Sequence, residues 1–324
     1  MVAPASSSQT PIRRPAQDGV GGALPPRPVQ DGVGGAIPPR PVDVVTFNTA
    51  GDNAVKTPEA LVPQAPIFQK VVRGDPDAPI IACQETTPVL ARKLLELSKN
   101  GNFQVVWPGK AATPALFDSS PFLQGNMILV PKRYEVVHET TADYSGRAGR
   151  FWNALKGVIR GKNRPNDLVN AAQRRGLIDL TLKDRQTGRT FSVIATHLSG
   201  ALRNQEEPRL AAEVRHAMAS GPVVVMGDFN TPSLDTNRNG DPNVKTFWRN
   251  LDRDAGLADM GPKGEAGITD WESGTNIDHV LATGFQAIDS HVLSGNQMTI
   301  PGRPDAKGVS DHYAKAVTLD YEAP

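Results

Sequence analysis

Apolar residues along this chain gather in short runs, and most runs end in a polar or catalytic-type residue. The run Val223-Val224-Val225-Met226 closes at Gly227 and is followed by Asp228, Phe229 and Asn230. A short apolar run bounded by a turn signal predicts a buried strand. Alternation on an extended chain would set Asp228 and Asn230 on one side and Phe229 on the other. Similar runs predict strands at Val42–Phe47, Pro79–Cys83, Phe103–Trp107, Met127–Val130, Tyr134–Val137, Leu177–Leu182, Thr190–Thr196, Ile277–Ala282 and Ala314–Leu319. The Leu177 and Thr190 runs are joined by a hairpin signal at Thr187-Gly188.

Helical spacing alternates with these runs. Thr87-Pro88 reads as an N-cap and first-turn proline for a helix through Leu90, Leu94 and Leu97 that stops at Asn100-Gly101. Further helices are expected over Pro208–Ala219 and Val244–Asp254, while Thr57–Val72 has helical content interrupted by Pro63 and Pro66. From Thr140 to Arg175, Phe151, Trp152, Leu155, Val158 and Ile159 fall at helical spacing among Arg147, Arg150, Lys156, Arg160, Lys162 and Arg164. Such a basic amphipathic segment can pack on a core, contact phosphates or lie on a membrane. Mixed strands and helices with hairpins predict a layered sandwich of two sheets with outer helices.

Composition changes the picture at the N-terminus. Arg14 opens R-P-A-Q-D-G-V-G-G-A-L-P-P, and Arg27 opens the near-copy R-P-V-Q-D-G-V-G-G-A-I-P-P. Repeats so rich in Gly and Pro cannot bury a core, so residues 1–41 read as a disordered or polyproline II tail before a domain at 42–324. The tail reads as a spacer or leader whose P-P-R-P segments could dock on an SH3-like partner. Met1–Thr10 lacks a basic region followed by an apolar core, so no Sec-type signal is expected. No stretch reads as a membrane span. The pattern is compatible with a delivered bacterial effector, and we expect a monomer. The formal net charge of +1 neither requires nor excludes a nucleic-acid partner. One cysteine, Cys83, excludes an internal disulfide and reads as a small buried apolar residue.

Polar residues then supply the candidate chemistry. Asn48, Glu85, His197, the Asp228–Asn230 pair and Asp278-His279 each sit at a strand end, and Ser310-Asp311-His312 precedes the last strand. Strand ends on one rim would converge. Oxygen ligands without a cysteine or paired-His motif suit magnesium or manganese better than zinc. Asp235–Gly240 looks like the start of a calcium loop, but Thr246 stands where the bidentate Glu is needed, so a plain polar loop is expected.

The series Phe47-Asn48, Gln84-Glu85, Thr196-His197-Leu198, Gly227–Asn230, Ile277–His279 and Ser310–His312 resembles the endonuclease/exonuclease/phosphatase superfamily from about Val42 to Leu319. That resemblance implies an α/β four-layered sandwich, two mixed β-sheets flanked by helices, as in deoxyribonuclease I. It implies Glu85 as main metal ligand with Asn48 and Asp311 beside it or through water, and Mg2+ or Mn2+ as cofactor. By the same resemblance Asp228 orients or deprotonates the attacking water, and Asn230 holds the phosphoryl group. Asp278 pairs with His312, and His197 meets a phosphate oxygen. Arg175 would contact phosphate, with neighbouring Arg174 an equal candidate. The segment Thr275–His279 differs from the W-C-D-R type of phosphoinositide phosphatases and the R-I-D-Y type of AP endonucleases. The basic stretch from Arg147 to Arg175 favours nucleic acid, DNA or RNA, as substrate. The alternative is a lipid phosphodiesterase or phosphatase, with Phe151-Trp152 as a membrane face.

Overall fold

The computed structural model describes residues 40–49, 59–107, 125–144, 175–200, 202–271, 273–294 and 310–322. The tail, most of the basic stretch from Arg147 to Arg175, and Arg174 itself lie outside these residues.

Two six-stranded mixed sheets carry the fold. Sheet 1 contains β1 (Val42–Asn48), β2 (Ile80–Thr86), β3 (Phe103–Val106), β4 (Gly125–Pro131), β11 (Phe285–Leu293) and β12 (Ala314–Tyr321), in the order β11-β12-β1-β2-β4-β3. Sheet 2 contains β5 (Tyr134–Asp143), β6 (Gly176–Asp184), β7 (Thr190–His197), β8 (Val223–Asp228), β9 (Ala258–Asp259) and β10 (Asp278–Thr283), in the order β5-β6-β7-β8-β10-β9. Among the described residues the α-helices are α1 (Pro66–Arg73), α2 (Pro88–Ser98), α3 (Arg203–Met218) and α4 (Pro242–Ala255).

Side-chain alternation builds the layers. Ile178, Leu180 and Leu182 of β6 meet Ile80, Ile128 and Val317 of sheet 1 in the central core. The opposite face of sheet 1 packs Phe47, Ile81 and Leu129 on Phe68, Val71, Leu90 and Leu94 of α1 and α2. The outer face of sheet 2 packs Ile194 and Val225 on Leu210, Val214, Phe247 and Leu251 of α3 and α4. The expected four-layered α/β sandwich is therefore the observed one.

Local chemistry explains the element ends. Thr87 caps α2 by accepting from the Leu90 N–H at 3.4 Å, with Pro88 at the first turn. Pro66 does not interrupt a helix but starts one, because the first turn needs no proline N–H. Pro63 lies inside a short 3-10 helix, Glu59–Gln64. α3 begins at Arg203, before the expected Pro208, since tertiary packing of Leu210, Ala211 and Val214 carries the helix across that proline. β5 runs on to Asp143, beyond the expected end at Val137, paired along β6; the helical spacing at Phe151–Ile159 lies outside the described residues. β11 was not predicted; it is a sheet-edge strand with exposed Ile288, and its pattern is too polar to read as a buried run. Cys83 is fully buried and burial pushes its thiol well up, as expected for an inert apolar role.

Topology aims strand ends at one rim. β1 and β2 are parallel, with Asn48 opposite Gln84. β7 and β8 are parallel, with His197 opposite Asp228. β10 runs antiparallel to β8, so its first residue, Asp278, faces Asp228. β12 runs antiparallel to β1 with Lys315 opposite Thr46, which brings the residues just before it beside Asn48. Gly176 pairs with His197, so Arg175 enters at the same end.

Candidate functional site

Asp228 is the centre of the rim. It is 2 % exposed and fully ringed by donors. Its Oδ2 accepts from Asn48 Nδ2 at 2.9 Å, and its Oδ1 from the Asn230 N–H at 2.7 Å. Burial alone would raise this carboxyl; hydrogen bonding and charge from His197, His312 and Arg175 outweigh it and hold the group below the usual carboxylate range. Gly227 makes the position possible. A Cβ there would lie 1.8 Å from the Thr196 carbonyl oxygen, so no larger residue fits between β8 and β7.

Asp228 and Asn230 do share a side, with Phe229 buried opposite in the helix-side core. The backbone reason differs from simple alternation. Asn230 has φ 47, a left-handed turn that asparagine tolerates better than most residues. The turn carries its Nδ2 to His197 Nε2 at 3.2 Å and to the Leu198 carbonyl at 3.0 Å.

His197 is buried beside Arg175, whose Nη1 contacts His197 Nε2 and donates to the Leu198 carbonyl at 2.7 Å. Burial and the Arg175 charge lower the imidazole's pKa, against the pull of the Asp228 and Glu85 carboxylates. Arg175 is thus placed at the rim.

Glu85 also sits in the left-handed region, at φ 53, where β2 slips register against β4 between Cys83 and Thr86. A non-glycine residue held there costs on the order of 1 kcal/mol or more. The kink directs its carboxylate to within 3.8 Å of His197 Nε2.

The second half of the rim is the His312–Asp278 pair. His312 Nδ1 lies 2.7 Å from Asp278 Oδ2, and Asp278 is fully buried. Burial disfavours the imidazolium, but Asp278, Asp228 and Asp311 outweigh it and raise the pKa well above the ordinary value. Two hydroxyls absent from the expected residue set support the pair. Thr269 Oγ1 accepts from the Asp278 N–H at 3.1 Å, and Ser310 Oγ donates to the Asn48 carbonyl at 2.6 Å while accepting from the His312 N–H. Thr269 carries no signal in the sequence, whereas Ser310 is part of the S-D-H run.

Among the described residues, two groups of acids and imidazoles come close enough to share an ion: Glu85 with His197 and Asp228, and Asp228 with Asp278 and His312. Asp311 stands beside them, its Oδ1 4.0 Å from His312 Nε2. Burial and the Glu85 charge raise its carboxyl. The Glu85 and Asp311 carboxylates beside the Asn48 amide form an oxygen-rich donor set that fits a hard divalent cation.

His279 turns away from the rim. Its Nε2 meets the Thr231 carbonyl at 3.0 Å and its Nδ1 meets Asp259 at 3.3 Å, beneath Trp248 and Phe229. The loop at Asp235–Gly240 is satisfied internally: Asp235 accepts from Ser233 Oγ and the Gly264 N–H, and Asn237 pairs with the Asp241 backbone. It has no calcium-loop arrangement. Among the described residues no helix is long and apolar enough to cross a membrane.

The chain belongs to the Endonuclease/Exonuclease/phosphatase family, whose pattern matches residues 45–312; this is a family of hydrolases. No curated protein shows significant sequence similarity to it. Among solved structures it is similar to the human Nocturnin catalytic domain with a bound sulfate anion, at 15% identity and TM-score 0.59, covering 88% of this chain and 97% of that one. D. rerio TDP2 complexed with a single-strand DNA product gives 11% identity and TM-score 0.56, covering 86% of this chain and 99% of that one. An endonuclease/exonuclease/phosphatase family protein from Bacteroides thetaiotaomicron gives 17% identity and TM-score 0.56, covering 89% of this chain and 100% of that one. At these identities the likeness is one of fold.

Proposed function

We propose that the chain is a divalent-metal-dependent phosphodiesterase acting on DNA or RNA. The observation that carries this reading is the rim itself: an ionised, donor-ringed Asp228 between a carboxylate-rich side, Glu85 and Asp311, and a carboxylate-supported imidazolium, His312. Magnesium or manganese held by Glu85, Asn48 and Asp311 would supply charge neutralisation at the phosphoryl oxygens. Asp228 orients the attacking water. His312, charged and fixed by Asp278, donates from Nε2 to a phosphoryl oxygen. Asn230 and Arg175 stand at the same rim, with His197 held at their junction. Attack of the water oxygen on phosphorus forms one P–O bond, breaks the bond to the leaving oxygen, and returns a proton to that oxygen.

The polyanionic substrate is favoured by the Arg147–Arg175 stretch in the sequence. A single-strand DNA product in D. rerio TDP2, a chain of similar fold, is a second support. The test is hydrolysis of plasmid DNA, RNA, sphingomyelin and phosphoinositides with magnesium. Nucleic-acid cleavage should vanish with EDTA and return with magnesium or manganese. Glu85→Gln should raise the magnesium concentration needed and lower the rate. Full activity in metal-stripped protein, or a Glu85→Gln variant with wild-type metal dependence, would sink the scheme. Turnover of lipid without cleavage of either nucleic acid would transfer the assignment to the lipid alternative.

A further inference from the structure

One amide interrupts the apolar layer between the sheets. All residues of β4, Gly125–Pro131, are buried. Ile128 and Val130 enter the central core, while Met127 and Leu129 join the cluster under α1 and α2. Residues two apart on a strand share a face, so Asn126 continues the Ile128–Val130 row inward. It does so at the rim end of the strand. Between the pairs Cys83–Met127 and Thr86–Gly125, two residues of β2, Gln84 and Glu85, stand against Asn126 alone. This is the bulge that re-aims Glu85.

Asn126 reaches across to sheet 2. Its Nδ2 donates to the Gly176 carbonyl at 2.8 Å, a buried bond. The acceptor fixes the amide's orientation, because Oδ1 in that place would set oxygen against oxygen. Oδ1 is itself buried and has no partner. A buried acceptor without a donor lowers stability, so packing alone favours an apolar residue at this position. Gly176 is the first residue of β6, and Arg175 precedes it. The Arg175 carbonyl accepts from the Tyr144 N–H at 3.2 Å. Two consecutive carbonyls are thus held from two sides, one by Tyr144 and one by Asn126. From this anchored start the Arg175 side chain turns to His197 Nε2 and the Leu198 carbonyl.

We propose that Asn126 is a positioning residue for the site: its bond across the sheets fixes the start of β6 and thereby the place of the Arg175 cation beside His197. The proposal rests on the phosphodiesterase reading, in which a cation at that place faces the substrate's phosphate. Asn126 touches no reacting atom and acts through the backbone. A displacement of about 1 Å at a site can cost ~100-fold in rate, so a bond that governs where Arg175 begins is felt in turnover. Because Asn126 also lies opposite the Gln84–Glu85 bulge, one amide spans the gap between the carboxylate side of the rim and its arginine.

The experiment is a double-mutant cycle on Asn126→Leu and Arg175→Ala, with a single-stranded DNA oligonucleotide and its RNA counterpart as substrates in magnesium. Leucine is close to asparagine in size and removes the donor. Asn126→Leu should lower kcat/KM roughly tenfold or more, and Arg175→Ala by at least as much. The double variant should be no worse than Arg175→Ala alone, since residues that act through one group are not additive. The thermal midpoint of Asn126→Leu should stay within about 4 °C of wild type, because an unpartnered acceptor leaves together with the bond. If Asn126→Leu does not fold, Asn126→Ala takes its place in the same cycle. A second readout does not depend on the substrate. The guanidinium Nη signals of Arg175, assigned by their loss in Arg175→Ala, should be resolved by restricted rotation in wild type and averaged in the Asn126 variant. Multiplicative losses in the cycle, or wild-type kcat/KM in the Asn126 variant, would overturn the proposal. If wild type cleaves neither oligonucleotide, the nuclease reading fails, and the Arg175 signals decide the positioning role: averaging in the Asn126 variant upholds it, and unchanged signals end it.

Discussion

Lys315 offers a stability test that follows from the geometry alone. It is fully buried on β12, and its Nζ donates to Asn276 Oδ1 at 2.5 Å, two residues before Asp278. Burial pushes its ammonium down to about 8 from 10.5, against the pull of the Asp259 and Asp278 carboxylates. In the unfolded chain an ordinary lysine keeps its proton to ~10.4. Between these values the unfolded chain binds more protons than the folded one, so stability rises as pH climbs. At ~1.4 kcal/mol per pH unit the separation is worth about 3 kcal/mol, of which about 2 kcal/mol is gained by pH 9.5. Lys315→Met removes the titrating group at similar volume. Urea unfolding of both proteins from pH 7 to 9.5 measures the effect. The buried thiol of Cys83 and the buried phenols of Tyr134 and Tyr144 are raised and act with the opposite sign, but they are common to both proteins and cancel in the difference. The gap between wild type and variant should shift by about 2 kcal/mol in favour of wild type over this range. Parallel curves would show that Lys315 is not charged in a buried setting, and the reasoning from burial would fail.

Three further outcomes are expected. Asp278→Asn should bring the His312 pKa down toward 6.5, read by histidine NMR, and lower kcat by roughly 100-fold or more, with KM changed far less; an unmoved His312 titration would deny the pairing. The raised His312 pKa also means that its stabilising contribution is complete below about 6.5 and fades as pH rises through the folded value, a dependence that Asp278→Asn should flatten. Gly227→Ala should destabilise by ~3 kcal/mol or more, because the added methyl meets the Thr196 carbonyl; a denaturation midpoint near wild type would contradict the close approach. Phe151→Ala with Trp152→Ala should leave nucleic-acid cleavage largely intact. Collapse of liposome-dependent turnover, with soluble short-chain substrate still hydrolysed, would favour the lipid reading.

Much of this molecule was legible because its strands are short, apolar and terminated by polar residues. Val223–Met226 could be read as a strand from composition alone, and Asp228 followed from where it stopped. β11 could not, because an edge strand with one wet face carries no apolar run. The rim residues were individually ambiguous. His279 shares the strand-end pattern with Asp278 but faces the opposite side, since neighbouring strand residues point apart. Thr269 and Asn276 act through backbone and side-chain contacts made across loops, which leave no periodic trace. Lys315 did leave one, a lysine inside the apolar alternation of β12, and a cation in such a place demands a buried acceptor. Glu85 and Asn230 could not be foreseen as left-handed residues, because tertiary contacts impose that backbone and local preference does not.

The rim belongs to neither sheet. Asn48 and Glu85 come from sheet 1, and Asp311 and His312 from the lead into its β12; His197, Asp228 and Asp278 come from sheet 2. Two hydrogen bonds join the halves directly, Asn48 to Asp228 and His312 to Asp278. The first is buried and the second partly so, and both are strong only while the sheets remain packed and water is excluded. An isolated sheet 2 would strip Asp228 of its Asn48 donor and Asp278 of His312 at an apolar edge, a state that solvent would relieve by separating the strands. The buried acids therefore tie the site to closure of the sandwich: the central core of Ile80, Ile128, Ile178 and Leu180 supplies the attraction, and the crossing pairs set the register at which it closes.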